Sequence, residues 1–170
     1  MTHSLKTQMH ISRRGIDLSK PLVFDVKNRD YFCKPTGGMW AATFLGGARI
    51  SSWYEWCKEE MTQMIYGDSV KPYLMHVNSD ARIYEIDTYA DLVRLYKAYG
   101  FKDRFEGRLD FEKISKDYDG IHLTDAGQWA TRFAPDKSGH GINLYGWDME
   151  STVFFREVFK LELYMYPKLT

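Results

Sequence analysis

The sequence has only two cysteines, Cys33 and Cys57, in 170 residues. Two thiols make no disulfide framework, and no CxxC pair or Cys/His zinc spacing accompanies them. The five histidines (His3, His10, His76, His122 and His140) never fall at i, i+4, so a metal site finds no support. Neither sign of charge is in excess: 23 basic and 23 acidic residues cancel. That removes bulk attraction to nucleic acid or an anionic membrane but leaves room for a local basic patch. No apolar run approaches the roughly 20 residues of a membrane span. The start of the chain, Met1 to Lys6, has no apolar signal core, so a cytoplasmic, reducing setting is expected, with no membrane partner. No GxGxxG or GKS/T loop occurs, which argues against Rossmann and P-loop nucleotide sites. No repeat, low-complexity tract or Pro/Gly/Ser linker divides the chain.

What is present is a globular composition. Hydrophobic residues make up 44% and aromatic residues 16%. That suits one domain over residues 1–170 with a substantial core. Strands are expected at Leu5 to Ile11, Pro21 to Val26, Met39 to Phe44, Pro72 to Val77, Arg82 to Ile86, Gly120 to Thr124, Ile142 to Tyr145 and Ser151 to Phe155. Leu161, Leu163 and Met165 alternate with polar neighbours in a half-exposed final strand. Asn28-Arg29-Asp30 reads as a turn, and Lys34-Pro35-Thr36-Gly37-Gly38 as a tight loop that needs glycine's freedom. Ser52 to Glu55 has a capping-box pattern, followed by Trp53, Trp56, Cys57, Met61, Met64 and Ile65 near helical spacing. Trp53 and Trp56 are assigned to the core face of that helix. Thr88 caps a helix through Tyr99, Asp110 a short one ending before Asp117, and Thr124 one carrying Trp129 and Phe133. Strands cluster early and late with helices between, so the expected class is α+β with a split, largely antiparallel sheet.

The segment Gly146-Trp147-Asp148-Met149-Glu150, just before Ser151-Thr152-Val153-Phe154-Phe155, concentrates the chemistry. On a strand, Asp148 and Glu150 share a face. Carboxylates so placed stabilise an oxocarbenium-like sugar cation. The plain alternative is an exposed strand end with two solvated acids. Two further segments stand out: Met9-His10-Ile11-Ser12-Arg13, and Lys34-Pro35-Thr36-Gly37-Gly38-Met39-Trp40-Ala41-Ala42-Thr43.

Taken in order, a histidine- or arginine-bearing first strand, a glycine-led aromatic strand and a late acid pair resemble the ADP-ribosyltransferase fold. That group includes bacterial toxins and the poly(ADP-ribose) polymerases. Tyr118-Asp119-Gly120-Ile121 is similar to a late segment of such domains, and Asp148-x-Glu150 resembles the Glu-x-Glu pair of mono-ADP-ribosylating members. The resemblance runs from Met9 to Phe155. It implies NAD as co-substrate and Glu150 as the main catalytic residue, with Asp148 orienting the acceptor. It implies NAD contacts from His10 and Ser12 in a histidine-type member, or Arg13 in an arginine-type one. Gly38, Trp40 and Thr43 would belong to the strand at the nicotinamide pocket. Asp148 is shorter than the family's glutamate, and a Ser-Thr-Ser element is absent, which favours the histidine type.

The activity so implied is mono-ADP-ribosyl transfer to a macromolecule, either protein or nucleic acid (RNA or DNA). Its carrier would be an intracellular toxin, with an antitoxin as partner, or a phage-encoded effector. The alternatives are a non-catalytic interaction module of the same fold and an NAD glycohydrolase. Arg13, Arg14, Lys34 and Arg49 flank the proposed cleft. They suit either a polyanionic acceptor or the phosphates of NAD.

Overall fold

A computed structural model of the chain describes residues 5–29, 33–101, 107–132 and 142–165. The strands are β1 (Gln8–Ser12), β2 (Met39–Thr43), β3 (Lys71–Val77), β4 (Ile83–Ile86), β5 (Gly120–Leu123), β6 (Ser151–Phe154) and β7 (Phe159–Leu163). The helices are α1 (Ser52–Glu60), α2 (Tyr89–Tyr99), α3 (Phe111–Asp117) and α4 (Asp125–Arg132). One sheet runs β4-β5-β6-β2-β1-β3-β7. Only β4 and β5 pair in parallel, and α2 and α3 form the crossover such a pair requires. The class is α+β with a largely antiparallel sheet, as expected, but the seven strands form one continuous sheet rather than a split one.

The sheet's centre is its weakest seam. β1 and β2 are joined only at Gln8↔Thr43 and Met9↔Ala42, whereas β1 pairs with β3 along its whole length. Beyond Met9 the two central strands part, and the gap between them becomes the site described below.

Local signals set the helices. Thr88 and Asp91 form a reciprocal capping box on α2. Asp110 accepts the Lys113 N–H at the start of α3, and Thr124 Oγ1 accepts the Gly127 N–H at the start of α4. The α1 cap is Ser51, one residue earlier than the sequence suggested: its hydroxyl accepts the Tyr54 N–H, while Ser52 turns elsewhere. Leu92, Leu95, Phe111, Ile114 and Trp147 pack on Ile86, Ile121, Leu123 and Val153 on one side of β4-β5-β6. Met9 and Ile11 of β1 pack under Tyr54 and Cys57 of α1.

Two expected strands are not formed. Pro21 to Val26 runs as irregular chain, its extension into Lys27 making one bridge to Thr36; Asp25 takes φ 23. Leu22 and Phe24 still cover the Phe154 and Phe159 side of the core. Ile142 to Tyr145 is a loop ending in a turn, with Ile142 and Leu144 buried and Tyr145 exposed; Leu144 N–H is bonded to the Thr131 carbonyl and Trp147 N–H to that of Leu144. Short buried apolar runs look alike in sequence whether they pair or not. Asp30, Phe133, His3 and His140 lie outside the described residues, and Trp129 on α4 is exposed.

Candidate functional site

Where β1 and β2 part there is a cavity of about 460 Å³. β1 contributes Met9, His10 and Ile11, and β2 contributes Trp40, Ala41 and Ala42. Trp53 and Trp56 of α1, with Met61 and Met64 just after it, form an apolar wall. Arg29, Lys34 and Asp148 supply charge. Trp53 and Trp56 thus serve the cavity as well as the core; periodicity alone pointed only to the core.

His10 lies across the gap. Its Nδ1 is 2.7 Å from the Trp40 carbonyl oxygen. A carbonyl only accepts, so Nδ1 carries the hydrogen, and a neutral ring leaves Nε2 as an acceptor. Burial lowers the His10 pKa, outweighing the backbone bond to Trp40 that raises it. A neutral His10 is suited to accept from a ribose hydroxyl, not to donate to a phosphate. Trp40 packs edge-on against Trp147 at 4.8 Å, and the Lys34 ammonium sits 5.3 Å from the Trp40 ring centroid. Burial lowers the Lys34 pKa, with Asp148 pulling it back up.

A smaller, open cavity of about 290 Å³ touches the same two residues, His10 and Trp40, and is also lined by Leu22, Phe24 and Gly38. Gly38 has φ 70, and a Cβ there would meet Val153 Cγ2 at 2.8 Å. This glycine is therefore required by the chain's own packing against β6, whatever binds beside it.

The acid pair does not start a strand. β6 begins at Ser151, and residues 145–150 form a turn and bend, so strand alternation does not govern Asp148 and Glu150. Asp148 lines the cavity, and its carboxylate is 3.3 Å from an Arg132 guanidinium nitrogen. The Asp148 carbonyl accepts from Gln128 and Arg132 of α4, so that helix fixes the bend.

Glu150 is set deeper, 6% exposed, between cavity residues Met149 and Ser151. Its carboxylate accepts the Thr43 N–H at 3.0 and 3.1 Å, the Thr43 hydroxyl at 2.9 Å and the Ser52 hydroxyl at 2.6 Å. All three donors face it, which is the surrounding an ionised carboxylate needs. Ser52 is the first residue of α1, so the charge also meets the positive end of that helix. Burial nevertheless raises the Glu150 pKa; the Ser52 and Thr43 bonds oppose that shift without cancelling it.

A buried polar chain supports this carboxylate from behind. Gln8 Nε2 donates to Thr43 Oγ1 at 3.1 Å, and Thr152 Oγ1 donates to Gln8 Oε1 at 2.7 Å. Thr152 has then spent its one hydrogen, so His122 Nδ1, 2.8 Å away, donates to it. Gln8, Thr152 and His122 escaped the sequence reading because single polar residues within strands look like exposed positions. Their only signal was a polar side chain inside otherwise apolar runs.

The structure therefore brings His10, Trp40 and Asp148 to one cavity, with Gly38 on its smaller neighbour. Thr43 acts on Glu150 rather than facing the cavity. Ser12 and Arg13 line a separate cavity, and the Ser12 hydroxyl donates to the Gly15 carbonyl at 3.0 Å. Compared with known protein families, curated proteins and solved structures, the chain matches none.

Proposed function

We propose that this chain cleaves NAD and transfers its ADP-ribose to a macromolecular acceptor. The observation that carries the reading is the parted β1–β2 seam, a cavity lined by His10 and Trp40 with the Glu150 carboxylate held by Thr43 and Ser52 between the lining residues Met149 and Ser151. The resemblance in segment order, from Met9 to Phe155, agrees with it.

In this reading the two cavities meeting at His10 and Trp40 take the two ends of the dinucleotide. The Trp40 face suits the nicotinamide ring, and His10 Nε2 accepts from a ribose hydroxyl. The bond between nicotinamide nitrogen and ribose C1′ breaks, and its electron pair leaves with neutral nicotinamide. Glu150 holds a ribose hydroxyl and offsets the positive charge left on the sugar, an interaction that strengthens toward the transition state. The acceptor nucleophile, oriented by Asp148, bonds to C1′ and releases its proton to solvent.

The test is incubation with NAD labelled in the adenosine half, with nicotinamide release followed and labelled protein separated from labelled nucleic acid. Release of nicotinamide with label on either macromolecule is the expected result. Release with no label beyond free ADP-ribose would identify an NAD glycohydrolase instead. A variant refines the assignment: His10→Ala is expected to weaken NAD binding about tenfold by calorimetry, consistent with loss of one hydrogen bond in a desolvated site. If Arg13→Ala weakens NAD binding and His10→Ala does not, the first-strand contact is the arginine.

One observation favours a second reading, a non-catalytic binding module of the same fold. Glu150 is satisfied by the chain's own donors and almost closed to solvent. Under that reading NAD binds and no nicotinamide appears at any enzyme concentration.

A further inference from the structure

The second cavity, about 400 Å³, opens at the far end of β1. Ser12, Arg13 and Arg14 line it on one side, and Gln63, Tyr66 and Ser69 on the other. Its lining carries two guanidinium groups and no carboxylate; Asp68, the acid nearest in sequence to that rim, does not line it. Among the described residues, neither Arg13 nor Arg14 makes an ion pair or hydrogen bond, and both are exposed. Lys71, a third exposed cation, sits opposite Ser12 in the β1–β3 register. Tyr66, at the same cavity, is 57% exposed.

Among the described residues, Arg82 and Arg156 meet Asp119, Arg94 meets Asp91 and Arg132 meets Asp148, while exposed Arg49 stands alone. Arg13 and Arg14 differ in placing two unanswered guanidinium groups side by side on one cavity, and in a chain of zero net charge they form a local anion site. Guanidinium matches phosphate geometrically, and an exposed aromatic face beside it offers a platform for an unstacked base. Gln63 and Ser69 add hydrogen-bonding groups for a base edge or a sugar hydroxyl. Stacking on Tyr66 requires a base free of its duplex, which favours a single strand over a double helix.

We infer that this cavity binds single-stranded nucleic acid, with a phosphate on Arg13 and Arg14 and a base on Tyr66, and thereby presents the acceptor to the His10 site. The acceptor role rests on the transferase reading; the binding itself does not. Arg13 follows His10 by three residues, which at the rise of a strand is on the order of 10 Å. A strand held at the arginines thus reaches the larger cavity with a neighbouring nucleotide.

The experiment is fluorescence anisotropy with labelled single-stranded RNA and DNA 12-mers of mixed sequence, at several salt concentrations. It compares wild type, Arg13→Ala/Arg14→Ala and Tyr66→Ala. The arginine double variant is expected to bind at least tenfold more weakly, with a log–log salt slope shallower by about 1.4, the counterion term for two phosphates on a single strand. Tyr66→Ala is expected to bind about fivefold to tenfold more weakly with the slope unchanged, the mark of stacking over charge. Calorimetric NAD affinity should stay at the wild-type value in both variants. The inference is overturned if neither 12-mer binds wild type at low salt, or if the double variant binds them unchanged. It is equally overturned if the double variant loses NAD affinity instead, or if a phosphoserine peptide competes for the arginines while the 12-mers do not. Arginine-dependent 12-mer binding in a protein that releases no nicotinamide would support the site and sink the transferase reading alone.

Discussion

Glu150→Gln is expected to lower nicotinamide release from NAD by about 10²–10³-fold, the effect of removing a group that stabilises transition-state charge. The substitution keeps the volume and deletes the charge that would face the ribose. It also disturbs the surroundings, because Thr43 N–H, Thr43 hydroxyl and Ser52 hydroxyl all donate to this one carboxylate. A glutamine amide places its own N–H₂ against one of those donors. Loss of a bond at a buried acceptor costs about 1–3 kcal/mol, so the melting temperature should fall as well. Rates must therefore be compared well below the variant's melting point, with circular dichroism confirming the fold. Activity within a few-fold of wild type in such a sample would remove Glu150 from the chemistry and leave it as a strut between β2, α1 and β6. The loss should reside in kcat, since binding of ground-state NAD does not require the charge to be balanced.

The pH dependence of the same reaction follows from the environment of Glu150. Burial raises its pKa, so the ionised, competent form disappears at a higher pH on acidification than for a free carboxylate.

What could be read from the sequence was local or chemically loud. Thr88 with Asp91, Asp110, and Thr124 each mark a helix start because a side chain and a backbone N–H within three residues close the bond. Met39 to Thr43 and Ser151 to Phe154 show their β-branched and aromatic character openly. Ser52 begins the pattern Ser-x-x-Glu and so reads as the cap; its hydroxyl instead serves Glu150, 98 residues away in sequence, and no local rule carries that information. Ile142 to Tyr145 failed for a related reason. Ile142 and Leu144 are buried, but Leu144 finds its partner in Thr131 of α4 rather than in a strand.

The candidate site divides in the same way. His10, Trp40, Asp148 and Glu150 draw notice by residue type. That Glu150 sits beneath the cavity and Asp148 on it depends on a bend fixed by Gln128 and Arg132. The separation of Ser12 and Arg13 from His10 depends on where β1 ends. The His122–Thr152–Gln8–Thr43 chain exists only because β5, β6, β2 and β1 are adjacent in the sheet, an order sequence neighbours do not reveal.

That buried chain gives the second large expectation: wild-type protein should lose about 3 kcal/mol of stability between pH 6.5 and pH 4 through His122 alone, by the linkage of its shifted pKa. His122 is 6% exposed on β5, and burial lowers its pKa to about 4, against a smaller upward pull from Asp87. The unfolded chain takes a proton on this side chain near pH 6.5, while the folded chain refuses it until about pH 4. A depressed folded pKa means the stability is fully present above pH 6.5 and is lost as pH falls toward the folded value. Glu150, 3.7 Å from His122 Nδ1, works in the opposite sense: its raised pKa lets the folded state take a proton first, which stabilises on acidification. The histidine should dominate, because its shift is large and Glu150 keeps three donors that hold its shift down. His122→Asn separates the contributions, since its amide N–H₂ can still donate to Thr152 and no titrating group remains. The urea midpoint of wild type should fall by roughly 0.6–1.8 M between pH 7 and pH 5, given a loss of about 1.8 kcal/mol over that interval and a urea slope of roughly 1–3 kcal/mol/M. The variant should start lower at pH 7, having lost packing, and fall much less. Parallel declines in the two proteins would mean that His122 titrates normally in the folded state, and that the hydrogen it gives Thr152 is not fixed by the network.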